Sequence, residues 1–524
     1  MWQFICGIRK RTLKFEMTNK GKKMENDLVK SINETVERLS SKLNYNFNEV
    51  AIILAAGHGK RIKSQKSKML HKIWEVPTVE RVYNASRNGI EKINSIIVVG
   101  IKANHVMNVI GKRDNSAFAY QENQNGTGHA VQVALKKIDR KLFDGIVYVL
   151  PGDMGLIDEE TMRVFRKDFL KSKTDMMVLT GIYDGDPLDN SYGRIIRVKD
   201  KDTKGISAAR DAGKVIQIME YKDILALDDK KPYKVNYNGK KYSFTKNELI
   251  KNNEFNSGVY AFKYKKLTEL IGSLSSDNAQ KEKYITELIT LFNNKGYTVS
   301  ASRPDKPYAV MGFNNKSVLK EMEAIARAQV YDQLKDIIEI ADPDDFFIHE
   351  SVVNDILKLD KIGTPLDITI GKGVFIGKGV KLNYNLTFKN DCYVNGNVQF
   401  GKNVIVFQNV HLSCFPNQIL KIGSGVQILW GDIIKGNITI GEYSRIESSV
   451  NMTGSDEFPL RIGANVLIKG TSYIFGSLIE DNVHIEHSVI IRKKVKAVKL
   501  NDGSVKPIRY YIPPPEGTEA IENI

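Results

Sequence analysis

From Ile370 onward the chain keeps a period of six. Ile370, Ile376, Leu382, Phe388, Val394, Phe400, Val406 and Leu412 place an aliphatic residue or phenylalanine at every sixth position without a break. A second set follows at Ile422, Ile428, Ile434, Ile440 and Ile446. A third runs Ile462, Ile468, Ile474 and resumes after a one-residue slip at Ile479, Ile485 and Ile491. Isoleucine-glycine pairs recur along the way, at Ile370-Gly371, Ile422-Gly423 and Ile462-Gly463 among others. The physical reading is a parallel β-helix of hexapeptide repeats over residues 342–496. Each coil has three short faces, and the period-six side chain points inward and stacks on the next coil.

The first half has a different rhythm. Ala51-Ile52-Ile53-Leu54, Ile93–Val99 and Gly145–Leu150 are apolar runs of the buried-strand type, separated by helical stretches such as Thr78–Gly89 and Gly128–Lys137. This alternation predicts an α/β domain over 47–316, Rossmann-like, with an open and mostly parallel sheet. Ligands of such sheets sit at the carboxyl ends of strands, where Gly57, Gly59 and Asp153 fall. Leu28, Ile32, Val36, Leu39 and Leu43 recur at helical spacing, which predicts an amphipathic helix over 25–46. A linker helix is expected over 317–341, broken at Asp342-Pro343-Asp344, and an extended tail over 497–524. Residues 1–24 carry seven cations against Glu16 alone, and read as a disordered basic tail or a mis-assigned start, with Met17 and Met24 as alternatives.

Composition narrows the function class. The net charge of +16 suits anionic, phosphorylated substrates as well as a lysine-rich surface. No basic run is interleaved with aromatics as a nucleic-acid groove would be, and no apolar run is long enough to span a bilayer. Cys6, Cys392 and Cys414 fit no metal spacing, and an odd count argues against a disulfide framework. A reducing cytoplasm is the simplest expectation.

The chemistry begins at Leu54-Ala55-Ala56-Gly57-His58-Gly59-Lys60-Arg61, followed by Lys68-Met69-Leu70-His71. A strand, a glycine-containing loop and then positive charge can cradle a nucleoside triphosphate. Two glycines alone would equally make a tight turn, and the string is neither G-x-G-x-x-G nor a P-loop. The full L-A-A-G-x-G-x-R with K-x-L-H resembles the sugar-phosphate nucleotidyltransferases. The closest likeness is to the pyrophosphorylase half of the bacterial bifunctional UDP-N-acetylglucosamine pyrophosphorylase/glucosamine-1-phosphate acetyltransferase family. Six further segments match in the same order: Gln121–Ala130 with its Gly126-Thr127-Gly128, Pro151-Gly152-Asp153, Tyr192-Gly193-Arg194-Ile195 with Glu220, Asn256-Ser257-Gly258, Asn278–Thr286, and Gly312-Phe313-Asn314.

The resemblance implies UTP, a sugar-1-phosphate such as N-acetylglucosamine-1-phosphate, and Mg²⁺. It implies Arg61 and Lys68 on the triphosphate, and Leu54, Ala56, Gly57, Gly59, Gln121, Gly126 and Thr127 around the nucleotide. Gly193, Glu220, Asn256, Tyr284 and Thr286 would hold the sugar, and Asp153 and Asn314 the metal. Competing structural readings are that Asp153 is a turn residue or helix N-cap, that Asn314 caps the helix beginning near Ser317, and that Glu220 is a surface strand residue. His58, His71 and His129 read as structural. Gly155, Pro151 and Lys281 depart from the family pattern, and residues 225–253 look like an insertion between Glu220 and Asn256. These departures bear on sugar choice more than on nucleotidyl chemistry. Another sugar phosphate or nucleotide, or a non-catalytic nucleotide-sugar scaffold, remain the alternatives.

The β-helix of that family acetylates glucosamine-1-phosphate through R-x-R-P, H-x-x-Y-x-G-D and N-Y-D-G strings. All are absent here, and His411, His484 and His487 stand in other contexts. The expectation is no such acetylation, and a β-helix resembling the left-handed kind of hexapeptide acyltransferases whose role is structural, in a homotrimer. Acyl transfer to another acceptor is the second reading.

Overall fold

The computed structural model describes residues 27–57, 59–278, 280–511 and 520. The basic segment 1–24 and His58 lie outside them. The chain forms two compact units, 1–322 and 323–524.

The first unit is built on strands β1 (Glu49–Ala55), β2 (Asn94–Val99), β3 (Ser116–Tyr120), β4 (Ile146–Pro151), β5 (Met176–Ile182), β6 (Arg194–Arg197), β7 (Val215–Met219), β8 (Glu254–Lys263) and β9 (Val299–Ser302). Seven run in the order β9-β5-β8-β4-β1-β2-β3, and β6 and β7 extend from β8. All pairs along the main path are parallel except the two made by β8. The central strands carry near-continuous apolar runs, Val50–Ala55 in β1 and Ile96–Val99 in β2, because both faces are covered. Ala51 and Ile53 pack into one core with Ile97 and Val99, while Val50 and Ile52 pack into the other with Ile96 and Val98. Residues 27–39 are helical, and Ile32, Val36 and Leu39 join the first core. The helix expected to reach 46 stops earlier, because the chain turns onto β3: the amide of Ser41 donates to the carbonyl of Ser116 at 2.7 Å and Ser40 Oγ accepts the amide of Phe118 at 2.9 Å. Leu28, counted on the apolar stripe, is exposed.

Two local devices shape the ligand edge. β8 slips register between Asn256 and Val259, and Gly258 takes the left-handed φ of +85° that this bulge demands. The insertion is folded. Tyr233–Tyr237 and Lys240–Phe244 pair as a hairpin through Asn238-Gly239, both at positive φ, and Thr245 caps the helix Lys246–Lys251. Val235, Tyr242, Phe244 and Leu249 form a small core with Ile196, Ile216, Met219 and Ile224, so the insertion rests on β6 and β7.

The second unit is a left-handed parallel β-helix of hexapeptide repeats. Its strands form three parallel sheets. Ile370, Phe388, Val406, Ile428, Ile446, Ile468 and Ile485 stack in register on one face. Val394, Leu412, Ile434, Met452 and Ile474 stack on a second, and Phe400, Ile422, Ile440, Ile462 and Ile479 on the third. The breaks between the hexad sets are corner loops around Phe415–Gln418 and Ser455–Phe458. These loops meet where Gln418 donates to Asp456 at 3.0 Å. Ile491 does not point inward as its spacing predicted. The last coil is shorter, and Ile490 pairs with Ile474 and is buried.

Two further expectations are corrected. The helix expected over 317–341 is Lys316–Leu334, and Ile340 already pairs with Ile370 in the first coil. The first coil also carries a helix, Glu350–Asp360, that the hexad pattern does not announce; it buries Val352, Val353 and Ile356. The tail is not free over 505–511. Ile508 bridges Ile485 in parallel, and Glu486 holds Arg509 at 2.6 Å and Lys469 at 2.9 Å. An open coil end leaves backbone groups unpaired, and this segment satisfies those of His484, Glu486 and Val489.

Candidate active site

The loops that leave β1, β3 and β4 all lie at the carboxyl ends of parallel strands, where an open α/β sheet binds ligands. They are tied together. The amide of Gly152 donates to the carbonyl of Leu54 at 3.0 Å, and Gln124 Nε2 donates to the carbonyl of Ala56 at 2.7 Å. Gly59 has φ +60°, and its missing Cβ makes room for Lys68, whose own Cβ lies 2.7 Å from where that atom would stand.

Lys68 is 9% exposed and starts a short helical turn whose Met69 and Leu70 are buried. Its ammonium is hydrogen-bonded to the Asp153 carboxylate, lies 3.0 Å from Asn314 Oδ1 and stands 5.2 Å from the centre of the Phe313 ring. Asp153 sits on a turn, as one structural alternative expected, but neither oxygen donor caps a helix. The helix Glu159–Ser172 is capped by Asp158, not Asp153, and the amide of Val318 is held by Asn315, not Asn314. Arg61 is exposed on the turn Lys60–Ile62 and is not part of this cluster.

A second group flanks it. Gln121, 4% exposed, donates to the carbonyl of Gly126 at 3.1 Å and lies 3.1 Å from His129 Nδ1. Thr127 Oγ1 accepts the amide of Ile285 at 3.2 Å, which pins this segment to the one bearing Tyr284 and Thr286.

A third group gathers Gly193, Glu220, Asn256, Tyr284 and Thr286. The Glu220 carboxyl faces the Thr286 side chain and lies 3.4 Å from where a Cβ on Gly193 would stand. Burial, with Asp223 and Glu282 nearby, raises its pKa to about 7. It follows β7 directly and precedes the helix Tyr221–Leu225, so it is no surface strand residue. The amide of Asn256 donates to the carbonyl of Gly193 at 2.8 Å, and its side-chain oxygen accepts from Gly258 and from the Tyr260 hydroxyl. The Tyr284 hydroxyl accepts from Gln280 at 2.7 Å, and burial raises its pKa to about 12.

Tyr192, Arg194 and Phe313 lie inside the matched motifs with no role expected from the sequence. Tyr192 stacks on Phe255 and donates to the carbonyl of Gly312, joining the Gly193 and Asn314 segments. Arg194, fully buried, holds the carbonyls of Pro187 and Asn190. Their positions beside assigned residues were the available signal. His71, read as structural, packs edge-on to Phe313.

Among the described residues, no three His, Cys, Asp or Glu side chains gather as a metal site. Asp153 and Asn314 nonetheless converge on one cationic point, occupied by the Lys68 ammonium. Two hard oxygens facing a positive charge fit a divalent ion that takes its other ligands from water and phosphate.

This fold and site define a nucleotidyltransferase of the sugar-phosphate class. Residues 51–194 match the family described as a MobA-like NTP transferase domain. Bifunctional protein GlmU of Acetivibrio thermocellus is 30% identical over 461 residues, spanning 86% of this chain and 85% of its own. Bifunctional protein GlmU of Clostridium novyi is 30% identical over 488 residues, spanning 87% and 96%. The chain belongs to the GlmU family. A solved UDP-glucose pyrophosphorylase complexed with UDP-glucose aligns with a TM-score of 0.38 at 12% identity, over 54% of this chain and 99% of that one, too slight a likeness to add to this assignment.

Proposed function

We propose that this protein is a Mg²⁺-dependent uridylyltransferase that joins UTP and N-acetylglucosamine-1-phosphate to give UDP-N-acetylglucosamine and pyrophosphate. The observation that carries the reading is the convergence of Lys68, Asp153 and Asn314 at the strand ends, with the Gln121–Thr127 group and the Glu220 group beside it. Gln121, Gly126 and Thr127 face the base, while Leu54, Ala56, Gly57 and Gly59 bring backbone close to the phosphates. Gly193, Glu220, Asn256, Tyr284 and Thr286 hold the sugar, which orients its anionic phosphate oxygen for in-line attack on the α-phosphorus. Lys68 and Arg61 neutralise the departing pyrophosphate. A sugar phosphate is already anionic at neutral pH, so no general base is required and catalysis is positioning plus electrostatics. Asp153 and Asn314 would hold the Mg²⁺, which supplies charge neutralisation when bound.

Pyrophosphate release over a matrix of nucleotides and sugar phosphates tests this. Turnover greatest with UTP and N-acetylglucosamine-1-phosphate is expected. A different preferred pair would replace the substrate assignment, and no turnover with any pair would favour a binding scaffold.

The β-helix is proposed to hold three copies together and not to acetylate glucosamine-1-phosphate. Its support is the absence of the acetyl-transfer strings, with His411 within hydrogen-bond distance of Ser413. Acetyl-CoA consumption with that acceptor would overturn the second half of this reading, and a monomer by light scattering the first. The three cysteines support work in a reducing cytoplasm. No helix of the described residues is long and apolar enough to cross a membrane.

A further inference from the structure

We propose that Lys68 is a displaceable counter-ion: it fills the metal's place in the nucleotide-free protein and leaves it only when a triphosphate draws it away. Metal and nucleotide binding are then coupled through this one side chain. The inference rests on the reading of Asp153 and Asn314 as the metal ligands.

The geometry is specific. Among the described residues, no other side chain is hydrogen-bonded to Asp153 or Asn314. The ammonium also has the Phe313 ring face at 5.2 Å, and Phe313 is fully buried. Two oxygens and a π-face give a nearly buried ammonium a complete seat. A divalent ion bonding the same oxygens at about 2.1 Å must occupy the same point, and two cations cannot share it. For the metal to bind, Lys68 must move.

It can move without moving the fold. Buried Met69 and Leu70 fix the backbone of its turn, while a lysine stem has several freely rotating bonds. The first carbons of that stem lie against Gly59, within the loop proposed to cradle the phosphates. One side of Lys68 therefore faces a single carboxylate and the other the seat of a polyanion. A triphosphate with several negative charges outcompetes Asp153 for the ammonium, and the freed oxygens accept the metal. Because coupling is reciprocal, metal alone binds poorly to the nucleotide-free protein.

Mn²⁺ alone, titrated into nucleotide-free full-length protein at pH 8 and followed by electron paramagnetic resonance, tests this. Wild type, Lys68→Met, Asp153→Asn and the double variant are compared, with thermal melts to establish folding. Lys68→Met is expected to bind Mn²⁺ at least tenfold more tightly than wild type, and the gain is expected to vanish in the double variant. Lys68→Gln carries the same expectation if the methionine variant does not fold. No gain in a folded variant, with Asp153→Asn still weakening Mn²⁺ binding, overturns the counter-ion proposal and spares the ligand reading. A gain that persists in the double variant overturns both.

Discussion

Gly57 and Gly59 stand two residues apart in one loop, yet packing requires glycine only at Gly59. An alanine at 59 would adopt φ +60° and place its Cβ 2.7 Å from Lys68 Cβ. The left-handed backbone costs about 1–2 kcal/mol for a residue with a Cβ, and such an overlap adds about 1–3 kcal/mol unless the loop shifts. An ordinary contact needs roughly 1 Å more, and a displacement of that size at the proposed catalytic cation would cost about 100-fold in rate. Gly59→Ala is therefore expected to lower the melting temperature of the nucleotidyltransferase unit and to reduce kcat about 100-fold in a pyrophosphate-release assay. At Gly57 an added Cβ meets only Met69 Cε at 3.8 Å, an ordinary contact. Gly57→Ala should change stability by less than about 0.5 kcal/mol. Its cost should appear as a nucleotide KM raised about tenfold, because the open space beside Gly57 is the proposed seat of the phosphates. A Gly59→Ala enzyme with wild-type melting and kcat would refute the packing argument, and a Gly57→Ala enzyme with wild-type KM would refute the phosphate cradle.

Asp153→Asn keeps the side-chain shape and removes the charge, so turnover should fall by about 10³-fold or more, with a lower melting temperature because the Lys68 ammonium loses its counter-charge; unchanged activity would remove Asp153 from the site. The Glu220 pKa stands near 7 against 4.5 for the ordinary group. A raised carboxyl contributes stability that is present below pH 4.5 and lost as pH rises through 7, so Glu220→Gln should gain on wild type across that window, by at most about 3 kcal/mol above pH 7. Denaturant midpoints measured at pH 4.5 and pH 8 would show it, and a gap that narrows with pH would contradict the burial argument. Asp432 in the β-helix is fully buried with one carboxyl oxygen unpaired, and burial raises its pKa to about 8. Asp432→Asn should gain on wild type by up to about 1.4 kcal/mol per pH unit between pH 4 and 8, read from melts of the whole protein; a flat difference would show that the carboxyl titrates normally.

Much of the architecture was legible because it rests on repetition. Apolar runs buried on both faces of a sheet, and aliphatic residues at every sixth position, are patterns that a linear reading can count. Ile491 shows where counting stops. The final coil contracts, and only its pairing with the coil before reveals that Ile490 turns inward. The helix Glu350–Asp360 and the docked segment 505–511 were hidden for a related reason: each is set by what the nearest coil leaves uncovered, not by local periodicity. Within the site, Lys68, Asp153 and Asn314 were legible as residues, but their meeting point was not. They are separated by 85 and 161 positions, and only the chain's return to the ends of β1 and β4 joins them.

The sequence alone determined the two-part plan, the hexad core and the order of the chemical segments, because these follow from residue type and spacing. Tertiary structure decided the competitions between neighbours. Asp158 rather than Asp153, and Asn315 rather than Asn314, took the helix-capping roles. Asp and Asn have nearly equal capping preference wherever they stand, so the choice falls to which oxygen the fold leaves facing Lys68.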